Sequence, residues 1–163
     1  MERHQTLRHA VQWSYELLTD DERVVLQHSS VFADGFDLAA ITTGCGSFDE
    51  YVMLDLVDSL VRKSLVTAQQ LPGGRARYGL LETIRQYAME KLLETDEAVE
   101  TRNRHLDFML SLPGPAEPGL FRAQSPSWLD PIEGEHDNLR AALEWATAHD
   151  LPKAIRLALA MGE

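Results

Sequence analysis

The 163-residue sequence contains a single cysteine, Cys45, and no apolar run long enough to cross a membrane. One cysteine excludes an internal disulfide framework, and a membrane-spanning helix needs about 20 mainly apolar residues. The first residues also lack the apolar stretch of a secretory signal. We therefore expect a cytoplasmic protein with no membrane-bound segment, in which Cys45 serves as a small apolar filler.

Positive charge is scarce as well, since 15 lysines and arginines stand against 26 acidic residues and the net charge is −11. DNA-binding domains usually present a basic patch, and anionic membranes attract basic segments. The composition therefore disfavours both kinds of partner, although an acidic chain can still hold a local basic patch. The apolar fraction of 44% is sufficient for a buried core.

No pattern typical of catalysis or metal binding is convincing. Lys63-Ser64 lacks the preceding glycines of a phosphate-binding loop, and the adjacent residues 135–137 (Glu-His-Asp) cannot converge on one metal from a helix. Glu82 and Arg85 are weak candidates for a nucleotide site, and a surface ion pair one helical turn long is the simpler interpretation. We expect no enzymatic activity, no catalytic residue, no metal site and no cofactor in this chain.

Hydrophobic periodicity predicts a helix over residues 6–18, with Leu7, Val11 and Leu17 on its inner face and Tyr15 at the flank. A second helix should follow and reach about residue 32.

Two capping boxes are predicted further along the chain. Thr19 with Glu22 should begin the second helix, and Ser47 with Glu50 should begin the amphipathic helix over 49–63. A short helix should begin at residue 37 between them.

The segment that follows reads as strand, turn, strand and helix. Residues 64–70 and 76–81 are extended in pattern around the Pro-Gly-Gly turn at 72–74, and a helix over 82–95 comes next. This order is typical of a winged-helix domain with a β-hairpin wing. A further helix is predicted over 97–111.

The C-terminal part has a different composition. Residues 112–127 hold four of the seven prolines and predict a linker or loop, and residues 128–163 predict a helical block with helices over 135–149 and 153–161. Two antiparallel helices of this kind form the unit of helical repeats. The apolar end of the chain has little to cover it, and we expect a fragment of a longer protein.

DNA binding is the sharpest functional question for a winged helix. The second helix of a helix-turn-helix enters the major groove, and here the helix over 49–63 carries four carboxylates against Arg62 and Lys63. Affinity for DNA depends on neutralising phosphates, so direct DNA binding is disfavoured. Arg75 and Arg77 of the wing remain as possible DNA or interdomain contacts.

Several segments together resemble bacterial signal-transduction ATPases of the STAND class, particularly regulators of the LuxR and AfsR types with an NB-ARC-like core. They are, in chain order, Gln5-Thr6-Leu7-Arg8, Trp13-Ser14-Tyr15-Glu16-Leu17-Leu18, Ser30-Val31-Phe32-Ala33, Leu60-Val61-Arg62-Lys63-Ser64-Leu65-Val66, Leu80-Leu81-Glu82-Thr83-Ile84-Arg85-Gln86-Tyr87-Ala88 and Glu135-His136-Asp137-Asn138-Leu139-Arg140.

The resemblance implies a domain order. Residues 1–18 would be the connecting helix after an ATPase core outside this chain, residues 19–111 the winged helix with its trailing helices, residues 112–127 the linker, and residues 128–163 the start of a tetratricopeptide-like array. ATP or ADP and Mg²⁺ would bind only in that core, and the partners of this chain would be neighbouring domains of the same protein.

The resemblance also implies a regulatory role, in which the winged helix couples a helical sensor array to the nucleotide switch by domain packing. Eukaryotic relatives place a histidine that touches ADP at the wing exit, where this sequence has Leu81, which cannot donate a hydrogen bond. We expect Leu80 and Leu81 to pack against another domain. Two alternatives stay open, namely a DNA-binding winged helix and a contribution to an ADP or ATP site.

Overall fold

The computed structural model describes residues 2–112 and 134–161. Over these residues the chain is mainly helical with one small antiparallel sheet, which confirms the predicted fold class. The elements in chain order are α1 (Glu2–Glu16), α2 (Asp20–Ser29), α3 (Leu38–Cys45), α4 (Glu50–Arg62), β1 (Thr67–Gln70), β2 (Ala76–Gly79), α5 (Glu82–Leu93), α6 (Ala98–Ser111), α7 (His136–His149) and α8 (Leu151–Met161).

The first predicted capping box is confirmed and the second is wrong. The Glu22 amide donates to Thr19 Oγ1 over 3.2 Å, and the Thr19 amide donates to Glu22 Oε2 over 2.9 Å. At α4 the cap is Asp49, whose Oδ1 accepts from the Val52 amide over 2.8 Å. Aspartate is as good a cap as serine, and it lies directly before the helix, whereas Ser47 donates to the Cys45 carbonyl in the preceding turn.

The inner face of α1 differs from the prediction. Val11 and Tyr15 are buried, and the Tyr15 ring meets the Tyr87 ring of α5 edge-on at 5.4 Å. Leu7 and Leu17 are 48% and 66% exposed. The predicted face was too broad because α1 packs mainly against a single helix, α5, which covers only a narrow stripe.

The wing is an antiparallel hairpin with Thr67 opposite Gly79 and Gln70 opposite Ala76, and Gly73 and Gly74 turn the chain with positive φ. Phe36 pairs with Tyr78 as a third short segment of the sheet, with N···O distances of 2.9 and 2.8 Å in the two directions. This bridge ties the turn before α3 to the wing.

The last two helices, α7 and α8, form the predicted antiparallel hairpin, and α7 packs along α6. Leu139, Ala142 and Ala146 are the buried apolar residues of α7. The Trp145 indole N–H donates to Asn103 Oδ1 of α6 over 2.9 Å. The helical hairpin therefore sits directly on the trailing helix of the winged-helix part.

Some sequence predictions fall outside the described residues. They are the linker over 112–127, apart from Leu112, and the start of the helical block over 128–133. The domain boundaries remain predictions. No helix within residues 2–112 and 134–161 has the length and apolar character needed to cross a lipid bilayer.

Candidate functional site

The exposed side chains of α4 and its N-cap include four carboxylates, together with the apolar Val52 and Leu54. Asp49, Glu50, Asp55 and Asp58 are all exposed, and Tyr51 between them is 83% exposed. Met53, Val57 and Leu60 face the core. The helix that would enter the major groove therefore presents carboxylates along its outer surface.

The two cations at the C-terminal end of α4 have different surroundings. Lys63 Nζ lies 2.8 and 2.9 Å from the two carboxylate oxygens of Glu22, whereas Arg62 forms no ion pair within the described parts of the chain. Only one of the two is therefore available to an external anion without breaking an internal contact.

The structure separates the two wing arginines that the sequence grouped together. Arg75 is exposed at the tip of the wing. Arg77, in β2, has a side chain only 20% exposed that forms an ion pair with Glu135, immediately before α7. Its Nη2 also donates to the carbonyl oxygens of Asp34 and Gly134, both over 2.9 Å. Arg77 is therefore an internal contact between the wing and the C-terminal helices.

Asn138 completes this contact. Its side-chain amide donates to the Gly35 carbonyl over 2.9 Å and to Glu135 Oε2 over 2.6 Å, and its Oδ1 accepts from the Asp34 amide over 3.3 Å. Of the three neighbours considered for metal binding, Glu135 is buried while His136 and Asp137 are exposed. No group of potential metal ligands occurs among the described residues.

Glu82 and Arg85 form the surface ion pair expected from their spacing, with N···O distances of 2.9 and 3.0 Å. The hydrogen bonds from Arg85 lower the pKa of Glu82 below its usual value. Two N–H groups of Arg85 are thus engaged with Glu82, and a third donates to the Ser30 carbonyl oxygen over 3.4 Å.

The two leucines at the wing exit lie in different environments. Leu80 is partly buried against the core, whereas Leu81 is 61% exposed at the position before α5. Leu81 also leaves α5 without a side-chain cap. A partner that covers Leu81 would have to come from outside the described residues.

Sequence reasoning missed the role of Glu22 beyond its cap. Burial would raise the pKa of this carboxyl, but the hydrogen bonds from Lys63, Ser59 and the Thr19 amide outweigh it and hold the pKa at about 2. The capping box marked Glu22 as structured, but its contacts with α4 join residues about 40 positions apart. No local pattern could have indicated them.

Two buried histidines were also missed. His28 lies 2.9 Å from Glu97 through Nε2, and His105 packs edge-on against the Phe32 ring at 4.9 Å. Burial, assisted by Arg102, lowers the pKa of His105 to about 4. Burial also lowers the pKa of His28. Both histidines are buried and belong to the core.

Comparison with known proteins agrees with this architecture. Residues 18–93 match the family model described as a winged helix-turn-helix domain. The chain is 39% identical over 165 aligned positions to proteins named "putative HTH-type transcriptional regulator" in Mycobacterium tuberculosis strain H37Rv and in Mycobacterium bovis, over 97% of this chain. It spans only 18% of the length of these relatives.

A second relative, an uncharacterized protein of M. tuberculosis strain H37Rv, is 44% identical over 97 residues, which are 58% of this chain and 24% of the relative. No solved structure gives a significant match. On the architecture and on this match, residues 18–93 have a winged-helix fold similar to that family model, and 97% of the chain is similar to a segment of proteins named as putative HTH-type transcriptional regulators.

Proposed function

We propose that this chain is a non-catalytic coupling module of a transcriptional regulator and acts through contacts with neighbouring protein domains. The single observation that carries the proposal is the set of exposed carboxylates on α4 and at its N-cap, namely Asp49, Glu50, Asp55 and Asp58. Four carboxylates facing phosphates would oppose the neutralisation on which DNA affinity depends. A protein surface is the better partner for such a face.

The packing of the C-terminal hairpin supports a coupling role. α7 packs along α6, and Glu135 before it contacts Arg77 of the wing. A displacement of the α7–α8 hairpin would therefore change contacts of the winged helix. In this proposal the longer regulator carries a sensor array after α8 and a switch domain before α1.

We further propose that the switch domain is an ATPase core. The resemblance to STAND-class regulators suggests an NB-ARC-like ATPase core, in which ATP or ADP and Mg²⁺ would bind away from this chain. The exposed Leu81 at the wing exit offers such a neighbour an apolar contact and no hydrogen-bond donor. Calorimetric titration of the isolated chain with ADP and with ATP should therefore give no binding heat.

Direct DNA binding is the second candidate, and the description of the mycobacterial relatives as HTH-type transcriptional regulators favours it. The cations that would then meet phosphates are Arg62 at the end of α4 and Arg75 at the wing tip. Two phosphate contacts give only a weak, salt-dependent affinity.

Fluorescence anisotropy with duplex DNA at low salt separates the two candidates. The coupling proposal predicts no saturable binding by the wild-type chain. Salt-sensitive binding that is lost in the double variant Arg62→Ala, Arg75→Ala, and retained in the control Arg3→Ala at the far end of α1, would replace the coupling proposal with the DNA-binding one.

A further inference from the structure

The contact around Arg77 is a closed polar cluster between two parts of the fold. The guanidinium meets the Glu135 carboxylate and three backbone carbonyl oxygens, those of Asp34, Gly35 and Gly134. Asn138, which is fully buried, adds bonds to both sides of the cluster. The strand of the wing, the turn before α3 and the beginning of α7 therefore share a single set of hydrogen bonds.

Glu135 is placed for this contact and not for capping its own helix. It precedes α7 in the N-cap position, yet its side chain makes no cap hydrogen bond. Its carboxylate turns instead to Arg77 and Asn138, and the residue is only 9% exposed. A buried charge without its partner is strongly destabilising, so Glu135 and Arg77 favour the state in which α7 and the wing are in contact.

The cluster lies next to the Phe36–Tyr78 bridge, which attaches the wing to the turn before α3. Asp34 and Gly35 lead directly into Phe36, whose amide and carbonyl pair with those of Tyr78. Arg77 precedes Tyr78 on the opposite side of this bridge. Loss of the cluster would therefore loosen the Phe36–Tyr78 bridge from both sides.

The rest of the α6–α7 interface does not depend on the cluster. Leu139, Ala142 and Ala146 keep α7 on α6 by apolar burial, and Trp145 adds a bond further along the helix. These contacts would hold the helical hairpin on α6 if the polar cluster at the beginning of α7 opened. A switch requires an element that can adopt two arrangements while the rest of the fold is kept.

We propose that Glu135 and Asn138 form a latch that reports the position of the C-terminal helices to the wing. In the closed state the latch fixes the Phe36–Tyr78 bridge and holds Arg77 away from external anions. In the open state the wing is released and Arg77 is exposed. The latch gives a mechanism for the proposed coupling role, and its function rests on that proposal. The contact itself can be tested without any partner.

Amide hydrogen exchange of the chain, followed by NMR, tests the latch. Glu135→Gln removes the charge and keeps the shape, and Asp137→Asn makes the same change at an exposed position two residues away. We expect Glu135→Gln to accelerate exchange of the Phe36 and Tyr78 amides by about tenfold or more and Asp137→Asn to leave both unchanged. The Val25 and Leu26 amides of the α2 core should keep their wild-type rates in both variants.

A double-variant cycle supplies the second measurement. Arg77→Gln should accelerate exchange of the Phe36 and Tyr78 amides as Glu135→Gln does. The double variant should exchange little faster than either single variant, since both substitutions remove the same contact. Unchanged Phe36 and Tyr78 amides in Glu135→Gln would overturn the latch. Equal acceleration of the Val25 and Leu26 amides would overturn it too, because the contact would then support the whole fold and not the wing.

The two proposals fail separately. If Glu135→Gln shows the local acceleration and also gains duplex DNA binding that Arg77→Gln removes, the latch stands and the coupling proposal is replaced by a DNA-binding function gated by the latch. If the exchange is unaffected and no DNA binds, the coupling proposal stands without this latch.

Discussion

At the scale of single residues, Glu22 connects the beginning of α2 to the C-terminal part of α4. Its backbone and carboxylate complete the capping box of α2, and the same carboxylate accepts hydrogen bonds from Ser59 and Lys63 of the α4 region. The residue is only 4% exposed. A carboxylate is buried without a large cost only when its oxygens accept hydrogen bonds. Here the donors are the Thr19 amide before α2 and the side chains of Ser59 and Lys63.

The linkage of this pKa to stability gives a prediction for acid unfolding. Because folding lowers the pKa of Glu22 from 4.5 to about 2, its stabilisation is complete above about pH 4.5 and is lost as the pH falls towards 2. The shift corresponds to roughly 3 kcal/mol at neutral pH. Glu22→Gln should lower the free energy of unfolding at pH 7 and flatten its decline below pH 4.5, as measured by urea unfolding at several pH values.

Asp21→Asn is the matched control for this substitution, since Asp21 is exposed in the same first turn of α2. It should keep the wild-type acid dependence. Glu82 and Glu90 also have lowered pKa values, so the decline in Glu22→Gln should be reduced and not abolished. An acid dependence identical to that of the wild type would refute the role given to Glu22.

At the scale of elements, the Phe36–Tyr78 bridge attaches the wing to the segment between α2 and α3. Gly35 has φ of 81°, and a Cβ there would lie 2.4 Å from the Tyr78 carbonyl oxygen that accepts the Phe36 amide. Both the left-handed backbone and the close approach require glycine at this position. The wing therefore depends on a residue about 30 positions before its first strand.

Comparison of two glycines separates these requirements. Gly73 at the wing tip has φ of 85°, and a Cβ added there would have no atom within 4 Å, so Gly73→Ala should cost only the left-handed strain, about 1 kcal/mol. Gly35→Ala should cost at least about 2 kcal/mol more, because the Tyr78 carbonyl must also move. Chemical denaturation measures both, and equal losses would show that the close approach at Gly35 is unimportant.

Some of these elements could be predicted from the sequence and others could not. Periodicity predicted α4 and α7 because their buried residues recur every three or four positions, and the glycines at 73 and 74 marked the turn. The Asp49 cap was missed because several capping residues stand close together. The Arg77–Glu135 contact could not be predicted, since its partners are 58 positions apart and neither belongs to a local motif.

At the scale of the whole molecule, the first and last helices both carry exposed apolar side chains. Trp13 and Leu17 are exposed on α1, and Leu151, Ile155 and Leu159 are exposed on α8 at helical spacing. The buried side of α8 holds Ala154 and Leu157. Within the described residues, α8 therefore packs on one side and presents a second apolar side to its surroundings.

Two leucines of α8 make this asymmetry measurable. Leu157 is 1% exposed and Leu159 is 68% exposed, and both can be changed to alanine. Leu157→Ala should lower the free energy of unfolding by about 2–4 kcal/mol through the cavity it leaves, whereas Leu159→Ala should change it by less than about 0.5 kcal/mol. Thermal and urea unfolding provide the comparison. A similar loss in both variants would mean that α8 buries its other side.

Cys45 has a practical consequence for all of these measurements. It is fully buried in α3, and burial raises the pKa of its thiol to about 12, so almost no reactive thiolate forms at neutral pH. A cysteine introduced at an exposed position can therefore be coupled selectively to a maleimide dye while the native thiol stays unmodified. Dyes placed on the wing tip and on α8 would report the distance between them by energy transfer, with Cys45 left in place.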